Sequence, residues 1–322
     1  MLPASLMRVP LPEALKRRLR ASTQWLAISL PAPQELADVQ LLAGGEQFDV
    51  TLDSAVAAMR PFTLRVGLSD ARAAALARDP QPRLRIVDRK LSTVLGELHL
   101  RPLREWHTAG SRMALFEVER GENFCAPWLR RRWDTFMYRR AARRTPPEKL
   151  AMVPDAVEQM MIFYLCPRPV HFVSVDDGRN SNLFPMDLVG PLQAEWFSLA
   201  LRNTSASVET IKSTRRLALG DIPGNACQLA YQLGAHHKKP QIDWDSLPFK
   251  TVRSSQFALR VPEIALRIRE VEILDFQAVG SHTLFASRIV SEQPLHAGPQ
   301  LFHTCGVHQR WRVRHDRPLP LA

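Results

Sequence analysis

Long hydrophobic runs are missing from this sequence of 322 residues. No apolar stretch approaches the roughly 18 to 20 residues that a helix needs to cross a bilayer, so no membrane association is expected. The first twenty residues also lack a continuous apolar core followed by a small-residue cleavage site, which predicts that there is no signal peptide. The cytoplasm is therefore the expected location.

Cysteine is scarce as well, with one residue each at positions 125, 166, 227 and 305. This irregular spacing excludes a disulfide framework and a CxxC zinc site, and we expect each cysteine to be a small buried hydrophobe in a reducing compartment. The stretch HTCGVH offers nitrogen and sulfur ligands, but strand alternation would put His303 and Cys305 on one face and His308 on the other. No metal site is predicted. Walker loops, GxGxxG fingerprints and nucleophile elbows are also absent.

Basic residues are abundant and give the chain a formal net charge of +11. One dense cluster, WLRRRWDTFMYRRAARR at 128–144, interleaves arginine with aromatic residues, a combination that can grip and stack on RNA. The alternative is an amphipathic helix, because spacings of three and four residues place a stripe on one side of it: Leu129, Trp133, Phe136, Met137 and Arg140. We favour a helix packed on a core, since no known nucleic-acid-binding motif surrounds the cluster, and we do not expect nucleic acid as a partner.

The order of predicted elements indicates the fold class. The first half reads as strands at TLRVGL, RLRIVD, GELHLRPL and RMALFEVE, with a helix at SDARAAALARDP; the second half has more strands and short helices at TSASVETIKST and GNACQLAYQLGAHHKKP. Strands dominate and the βαβ rhythm is missing, which predicts a mainly β chain with short helices (α+β) built on a small antiparallel barrel. Adjacent Pro146 and Pro147 mark a boundary between an N-terminal α+β domain at 1–147 and a second domain at 148–322.

Four segments of the second half, in order, resemble the flavin reductase-like family, whose fold is the FMN-binding split β-barrel. They are PRPVHFVSVDDGRNSNLFPMDLVGP, LALRNTSASVETIKSTRRLALGDIP, VGSHTLFASRIV and QLFHTCGVHQRWRV, the last resembling the closing strand. Together they span about residues 151–315. The resemblance implies a split barrel in the second half, and the first half looks loosely like a degenerate second copy. The alternative is that the first half covers or completes the flavin pocket.

The resemblance implies a flavin phosphate site in the second segment, and the residues independently favour one. The loop that leads into the TSASVETIKST helix has hydroxyls, free backbone N–H groups and the positive end of a helix dipole, with an arginine beside them. Its candidate cofactor-binding residues are Arg202, Asn203, Thr204, Ser205 and Ser207. The alternative is that Thr204 or Ser205 merely caps a short helix.

The segment SNLFPMD is the candidate site for the flavin ring. A flat tricyclic ring needs an apolar wall and a few backbone groups for its pyrimidine edge. We expect Ser181, Asn182, Leu183 and Phe184 to present main-chain groups, with Pro185 stiffening the turn. Plain core packing of the apolar residues is the alternative.

His282 in GSHTLF is the candidate catalytic residue, because it matches the histidine that lies near flavin and nicotinamide in the resembled family. The aspartate that precedes this histidine in the family is Ser281 here, which removes an orienting charge. A buried structural histidine is the alternative.

The resemblance implies an FMN-dependent oxidoreductase that uses NADH or NADPH, a homodimer with FMN near the interface, and a flavin-dependent oxygenase as a candidate partner. Two other classes stay open: a flavin-binding sensor or accessory protein without turnover, and a basic nucleic-acid-binding protein that uses residues 128–144.

Overall fold

The computed structural model of the chain describes residues 25–32, 35–108, 110–145, 152–192 and 195–322. Within these ranges two large antiparallel sheets of seven strands each account for most of the regular structure.

The first sheet is formed by the N-terminal half of the chain. Its strands are β2 (Ala37–Ala43), β3 (Glu46–Asp49), β4 (Ser54–Met59), β5 (Phe62–Gly67), β6 (Arg83–Asp88), β7 (Thr93–Thr108) and β8 (Ser111–Asn123). Helix α1 (Asp70–Ala77) lies between β5 and β6, and Ser69 caps it by accepting a hydrogen bond from the Arg72 N–H. The strand order is β3-β2-β6-β7-β8-β5-β4. We call this half the N-unit.

The second sheet is formed by the C-terminal half, which we call the C-unit. Its strands are β10 (His171–Asp176), β11 (Ser181–Met186), β12 (Val189–Pro191), β13 (Trp196–Arg202), β14 (Arg216–Asp221), β17 (Arg267–Val279) and β18 (His282–Pro294). Helix α4 (Ser207–Thr214) lies between β13 and β14. The strand order is β11-β10-β14-β17-β18-β13-β12.

The two sheets have the same topology. In each, two hairpins are followed by a short helix, a strand that pairs with the first strand of the unit, and a long hairpin whose second strand pairs back with the strand before the helix. The two long hairpins read TAGSRMALF and AVGSHTLF around their turns, and the ladders place the two Gly-Ser pairs one residue apart. The chain therefore contains the same antiparallel fold twice, as the loose likeness of the N-terminal half to a second copy predicted.

The remaining elements connect and cover the two units. Helices α2 (Trp128–Ala142) and α3 (Pro154–Phe163) follow the N-unit, and α5 (Cys227–Leu233) lies between β14 and a small sheet of β15 (Thr251–Arg253) and β16 (Arg260–Pro262). Strand β1 (Leu26–Leu30) pairs with β19 (Gln300–Thr304), which also pairs with β9 (Arg168–Pro169). Helix α6 (Gly306–Arg314) ends the regular structure.

The two units pack against each other through reciprocal contacts. At the β17–β18 turn, Ser281 N donates to Arg60 O at 2.8 Å and Arg60 N donates to Ser281 Oγ at 3.0 Å, so this turn lies on the β4–β5 turn of the N-unit. In the opposite sense, Gly110 in the β7–β8 turn approaches the Trp196 ring at the start of β13, and a Cβ added to it would lie 2.5 Å from the ring. The same features thus meet in both directions, as in a two-fold interface.

The interface between the units also buries charged groups. The Arg65 guanidinium of β5 is completely buried and donates from Nε to Ser198 Oγ of β13 at 2.6 Å. Arg168 of β9 donates to the Ser54 carbonyl oxygen of β4 at 2.8 Å. Burial lowers the pKa of Arg65 to about 9, since removing a cation from water disfavours its charged form.

The predicted fold class, mainly β with short helices and a split barrel in the second half, is confirmed. The predicted division into domains 1–147 and 148–322 stays a prediction; the N-unit and C-unit sheets lie on either side of it, whereas β1 pairs with β19 across it.

Two expectations about individual elements are corrected. The closing segment QLFHTCGVHQRWRV is strand only as far as Thr304, and helix α6 follows. The stripe expected to face the core from the 128–144 helix does not do so: the buried side chains of α2 are Asp134 and Tyr138, whereas Leu129 and Phe136 are 64% and 51% exposed.

Candidate functional site

A cavity of about 400 Å³ opens beside the ends of β11, β13 and β18, where the C-unit meets β4 of the N-unit. This volume lies within the range of small-molecule sites. It is lined by Trp25, Met59, Phe184, Pro185, Met186, Asp187, Leu188, Ala200, Leu201, Arg202, Ser205, His237, Lys238 and His282.

One wall of the cavity is apolar and comes from β11 and the residues after it. Strand β11 is at the edge of its sheet, which is where a strand accommodates a proline such as Pro185. Phe184 and Pro185 line the cavity together with Met186 and Leu188. The segment SNLFPM is thus a regular strand paired with β10 rather than an irregular loop.

The other three residues predicted in this segment do not line the cavity. Ser181 Oγ accepts a hydrogen bond from the Trp244 indole N–H at 2.8 Å. The Leu183 side chain is completely buried in the core, and its carbonyl oxygen lies 3.1 Å from His236 Nδ1. Asn182 is also completely buried, and its Nδ2 donates to the carbonyl oxygens of His236 and Lys239 at 2.9 and 2.6 Å.

Asn182 therefore positions a loop that itself reaches the cavity. The 3-10 helix Gly234–Lys238 brings His237 and Lys238 to the cavity wall. Ser205 holds the same helix by donating from Oγ to the His237 carbonyl oxygen at 3.1 Å. Sequence reasoning found Asn182 and Ser205 but not the two cavity residues that they hold in place.

Arg202 is the cationic group at the open side of the cavity. It is the last residue of β13, and its backbone pairs with His282 at the start of β18. Its side chain is exposed, and partial burial together with the neighbouring positive charge of Arg60 lowers its pKa. With Lys238 it gives this end of the cavity two positively charged side chains.

The other predicted residues of the phosphate loop surround this end without lining the cavity. Asn203 donates from Nδ2 to the Gly280 carbonyl oxygen, and its Oδ1 accepts from Thr283 Oγ1 at 3.0 Å, so it ties the loop to the β17–β18 hairpin. Thr204 is exposed. Ser207 is buried at the first turn of α4, where its Oγ lies 3.5 Å from Asn182 Nδ2.

Neither Thr204 nor Ser205 caps helix α4. The cap residue is Ala206, which makes no side-chain hydrogen bond to the helix. The interpretation of these hydroxyl residues as simple helix caps is therefore wrong, and Ser205 is instead directed to the loop beside the cavity.

His282 is buried, only 1% exposed, at the inner part of the cavity. Its Nδ1 lies 3.4 Å from the Met59 backbone N and 2.9 Å from Ser281 Oγ. Because the Met59 N–H can only donate, Nδ1 acts as an acceptor and the ring proton is on Nε2. Burial, and then the charges of Arg202 and Arg60, lower the pKa of His282 to about 4, so the ring is neutral at pH 7.

A second polar group of the cavity wall is the Asp187 carboxylate. Asp187 Oδ2 accepts from the Tyr164 hydroxyl at 3.1 Å and lies 2.8 Å from His303 Nδ1. Burial and the Asp187 charge raise the pKa of Tyr164 well above its usual value. Trp25, which also lines the cavity, packs edge-on against Tyr164 at 4.6 Å between ring centroids.

No sequence pattern identified the N-unit residues that line the cavity. Met59 reaches the cavity from a strand more than 100 residues earlier than the segments that resemble flavin reductases, and only the packing of the two units brings it there. Trp25 also lines the cavity although it lies far from these segments in the sequence. No periodicity or motif links such distant residues.

Among the residues that the structure describes, no group of three or more histidine, cysteine, aspartate or glutamate side chains is arranged to hold a metal ion. Likewise, no helix within the described ranges is long and apolar enough to span a membrane.

The solved structures to which this chain is similar include flavin reductases and FMN-binding split-barrel proteins, the family that four segments of the sequence resemble. An FMN-binding protein from Thermus thermophilus, solved with p-hydroxybenzaldehyde, is 22% identical over 40% of this chain and 72% of its own, with a TM-score of 0.36. An NADH:FAD oxidoreductase from Streptomyces globisporus is 18% identical over 49% of this chain and 94% of its own, with a TM-score of 0.41.

A third similar structure is the flavin reductase of styrene monooxygenase from Pseudomonas putida S12. It is 16% identical over 45% of this chain and 95% of its own, with a TM-score of 0.37. No protein-family model and no curated protein sequence matches this chain. Each of these three likenesses covers less than half of the chain.

Proposed function

We propose that the chain is a flavoprotein that binds FMN in the cavity between β11, β13 and β18 and acts as an oxidoreductase with NADH or NADPH as the electron donor. The observation that carries the proposal is the division of this cavity into an apolar wall and a basic end. A flavin mononucleotide has the same two parts, a flat apolar ring system and a phosphate.

The residues present fit FMN. Arg202 and Lys238 would hold the phosphate, because charge-assisted hydrogen bonds to phosphate are the strongest such contacts. Phe184, Pro185 and Met186 would lie against the ring system. When bound, the flavin supplies the hydride and electron transfer chemistry, and the protein orients it and excludes water.

His282 is proposed to act at the inner end of the cavity as a neutral hydrogen-bond donor. Its Nδ1 is engaged by the Met59 N–H and Ser281, which fixes the ring and leaves the proton on Nε2. Ser281 thereby orients the imidazole, the task that the aspartate of the resembled family would have. Unlike a carboxylate, a hydroxyl adds no negative charge, so the imidazole is not stabilised as a cation.

We also propose a protein partner for the chain. A flavin-dependent oxygenase that receives reduced flavin is the proposed protein partner, and the open side of the cavity at Arg202 would let the flavin leave. The expected homodimer is not needed to build this cavity, since both of its sides come from one chain. The four free cysteines fit the proposed cytoplasmic location.

An absorbance spectrum of the purified chain, with and without added FMN, tests the proposal. Bound flavin is expected to give its oxidised bands, and NADH or NADPH should bleach them under anaerobic conditions. Bands that no nicotinamide bleaches would identify the chain as a flavin-binding sensor or accessory protein without turnover. No retained flavin at saturating FMN would refute the proposal.

A second candidate function, nucleic-acid binding, is favoured by the surface of α2. Trp128 and Phe136 are 58% and 51% exposed and line a groove of about 900 Å³. Six arginines line the same groove: Arg131, Arg132, Arg139, Arg140, Arg143 and Arg144. Exposed aromatic rings among arginines suit stacking on single-stranded RNA. A gel-shift titration with single-stranded RNA at two salt concentrations tests this, with Phe136→Ala expected to weaken any shift.

A further inference from the structure

We infer that each chain binds one flavin, in the C-unit, and that the N-unit is a built-in second subunit whose own equivalent site is closed. The inference rests on the proposed flavin site and adds its stoichiometry and the role of the N-unit. It is carried by the juxtaposition of two topologically identical units, of which only the C-unit has the cation and the imidazole of the cavity.

The ladders of the two sheets give the equivalence residue by residue. The long hairpins close with the pair Thr108–Ser111 in the N-unit and the pair Val279–His282 in the C-unit, so Ser111 corresponds to His282. The neighbouring hairpins agree, because Gly67 N donates to Asp53 O as Ala200 N donates to Leu188 O, and because Gly67 pairs with Met113 as Ala200 pairs with Leu284. Ser69, two residues after Gly67, therefore corresponds to Arg202.

The N-unit therefore lacks both the cation and the imidazole that define the candidate site. Ser69, which caps α1, stands at the position of Arg202, and the buried Ser111 stands at the position of His282. Neither serine can supply a positive charge or an imidazole N–H to a ligand.

A side chain of the N-unit itself fills the equivalent space. Arg72 of α1 donates from Nη1 to Asp53 Oδ2 at 2.7 Å and to the Gly67 carbonyl oxygen at 3.0 Å, and from Nη2 to the Asp49 carbonyl oxygen at 2.7 Å. It thus spans the end of β3, the loop after it and the end of β5, which are the counterparts of the segments around the C-unit cavity. The Asp53 carboxylate holds the guanidinium in this place by an ion pair.

The N-unit contributes residues to the candidate flavin site of the C-unit. Its β4 supplies Met59 as a wall of the cavity and gives the Met59 N–H to His282 Nδ1. The neighbouring Arg60 holds the β17–β18 turn through two hydrogen bonds with Ser281. The N-unit thereby completes and rigidifies the site without binding a flavin.

Flavin stoichiometry of the full chain tests the inference. FMN is added in excess, unbound FMN is removed by rapid filtration, and bound flavin is counted by absorbance against protein. One flavin per chain is expected, whatever the association state measured by native mass spectrometry. A ratio of two per chain, or of one per two chains, would overturn the inference while leaving flavin binding intact.

Three variants locate the flavin and test the role of the N-unit. Arg202→Ala should weaken FMN binding at least tenfold, whereas Arg112→Ala, at the closed side, should leave the affinity unchanged. Met59→Ala should weaken it about tenfold, equivalent to about 1.4 kcal/mol, through lost contact with the ring. Leu52→Ala, a 47% exposed residue of the same unit outside the cavity lining, is the control.

The outcomes separate the two proposals. Loss of affinity in Arg112→Ala but not in Arg202→Ala would place the flavin in the N-unit and overturn the inference. Unchanged affinity in a folded Met59→Ala protein, with folding checked by circular dichroism, would remove the N-unit from the site. No flavin bound by the wild-type chain would refute the proposed function itself, and the inference with it.

Discussion

His282 combines burial with a fixed orientation, and these two properties have different consequences for activity and for stability. Two donors at Nδ1 set the tautomer, so the ring presents an N–H group rather than a lone pair at Nε2. We expect His282→Ala to leave FMN affinity nearly unchanged and to slow flavin reduction by NADH or NADPH by roughly 10²-fold, the scale for losing one positioning or acid–base group. Stopped-flow bleaching of bound flavin measures the rate, and equal rates in both proteins would show that His282 has only a structural role.

The same histidine predicts a pH dependence of stability. A histidine in the unfolded chain titrates near pH 6.5, whereas His282 in the folded protein titrates at about 4. The unfolded state therefore binds the proton first, so the free energy of unfolding is highest above pH 6.5 and falls as the pH drops towards 4. The difference is on the order of 3 kcal/mol.

Denaturant unfolding between pH 7 and pH 4.5 checks this prediction against His282→Gln. The variant should lose the His282 part of the slope. Burial also lowers the pKa of His308, to about 3, but this residue is present in both proteins and cancels in the comparison. Identical slopes would mean that His282 is not buried as a neutral group.

Arg202 makes its contribution through charge. Arg202→Ala should weaken FMN binding by about 1.5 to 3 kcal/mol, the range for a hydrogen bond to a charged group. Arg288→Ala is a matched control, because Arg288 pairs with Trp196 at the far end of the same β13–β18 ladder and bonds Glu272 rather than the cavity. Flavin fluorescence titration measures both. Equal affinities would place the phosphate elsewhere.

Helix α2 does not bury the apolar stripe that its residue spacing predicts. Its apolar residues are spaced as on a buried stripe, yet the side that packs on α3 carries Tyr138, whose hydroxyl donates to Met161 Sδ. We expect Tyr138→Ala to destabilise the protein by about 3 kcal/mol through the cavity it leaves, and Phe136→Ala by less than about 0.5 kcal/mol. Thermal and denaturant melts of the two variants distinguish them, and the reverse order would restore the stripe to the core.

The elements of the C-unit could be predicted because their signals are local. Alternating apolar residues and turn glycines are enough to indicate β10, β13, β14 and the long β17–β18 hairpin. The direction of a side chain within an element was less accessible. Asn182 lies in the predicted segment, but only the fold shows that it bonds the carbonyl oxygens of a loop more than 50 residues later rather than facing the cavity.

The packing of two copies of one fold builds the candidate site, because residues of both units line its cavity. The Gly-Ser pairs of the two long hairpins, Gly110–Ser111 and Gly280–Ser281, are one residue out of register in the ladders, so the sequence alone does not align the two units. The contribution of Met59 depends on a contact between residues more than 220 positions apart, Met59 and His282, for which a single sequence carries no signal. The fold was therefore predictable for the C-unit, whereas the composite site was not.

Two hairpin glycines provide a test of how strongly the interface between the units is required. Gly280 and Gly178 both have positive φ, at 51° and 84°, so alanine at either position is strained by about 1 to 2 kcal/mol. A Cβ at Gly178 meets nothing within 4 Å, whereas a Cβ at Gly280 runs into the Arg60 carbonyl oxygen of the N-unit. The steric difference between the two substitutions therefore arises at the contact between the units.

We expect Gly178→Ala to cost only this backbone strain and to keep full flavin affinity. Gly280→Ala should cost about 3 kcal/mol or more, because relieving the clash separates the β17–β18 turn from Arg60. It should also weaken FMN binding, since the same movement displaces His282 from Met59. Denaturant unfolding and flavin titration of both variants measure these effects. If the two variants match in stability and affinity, the N-unit neither braces the turn nor completes the site.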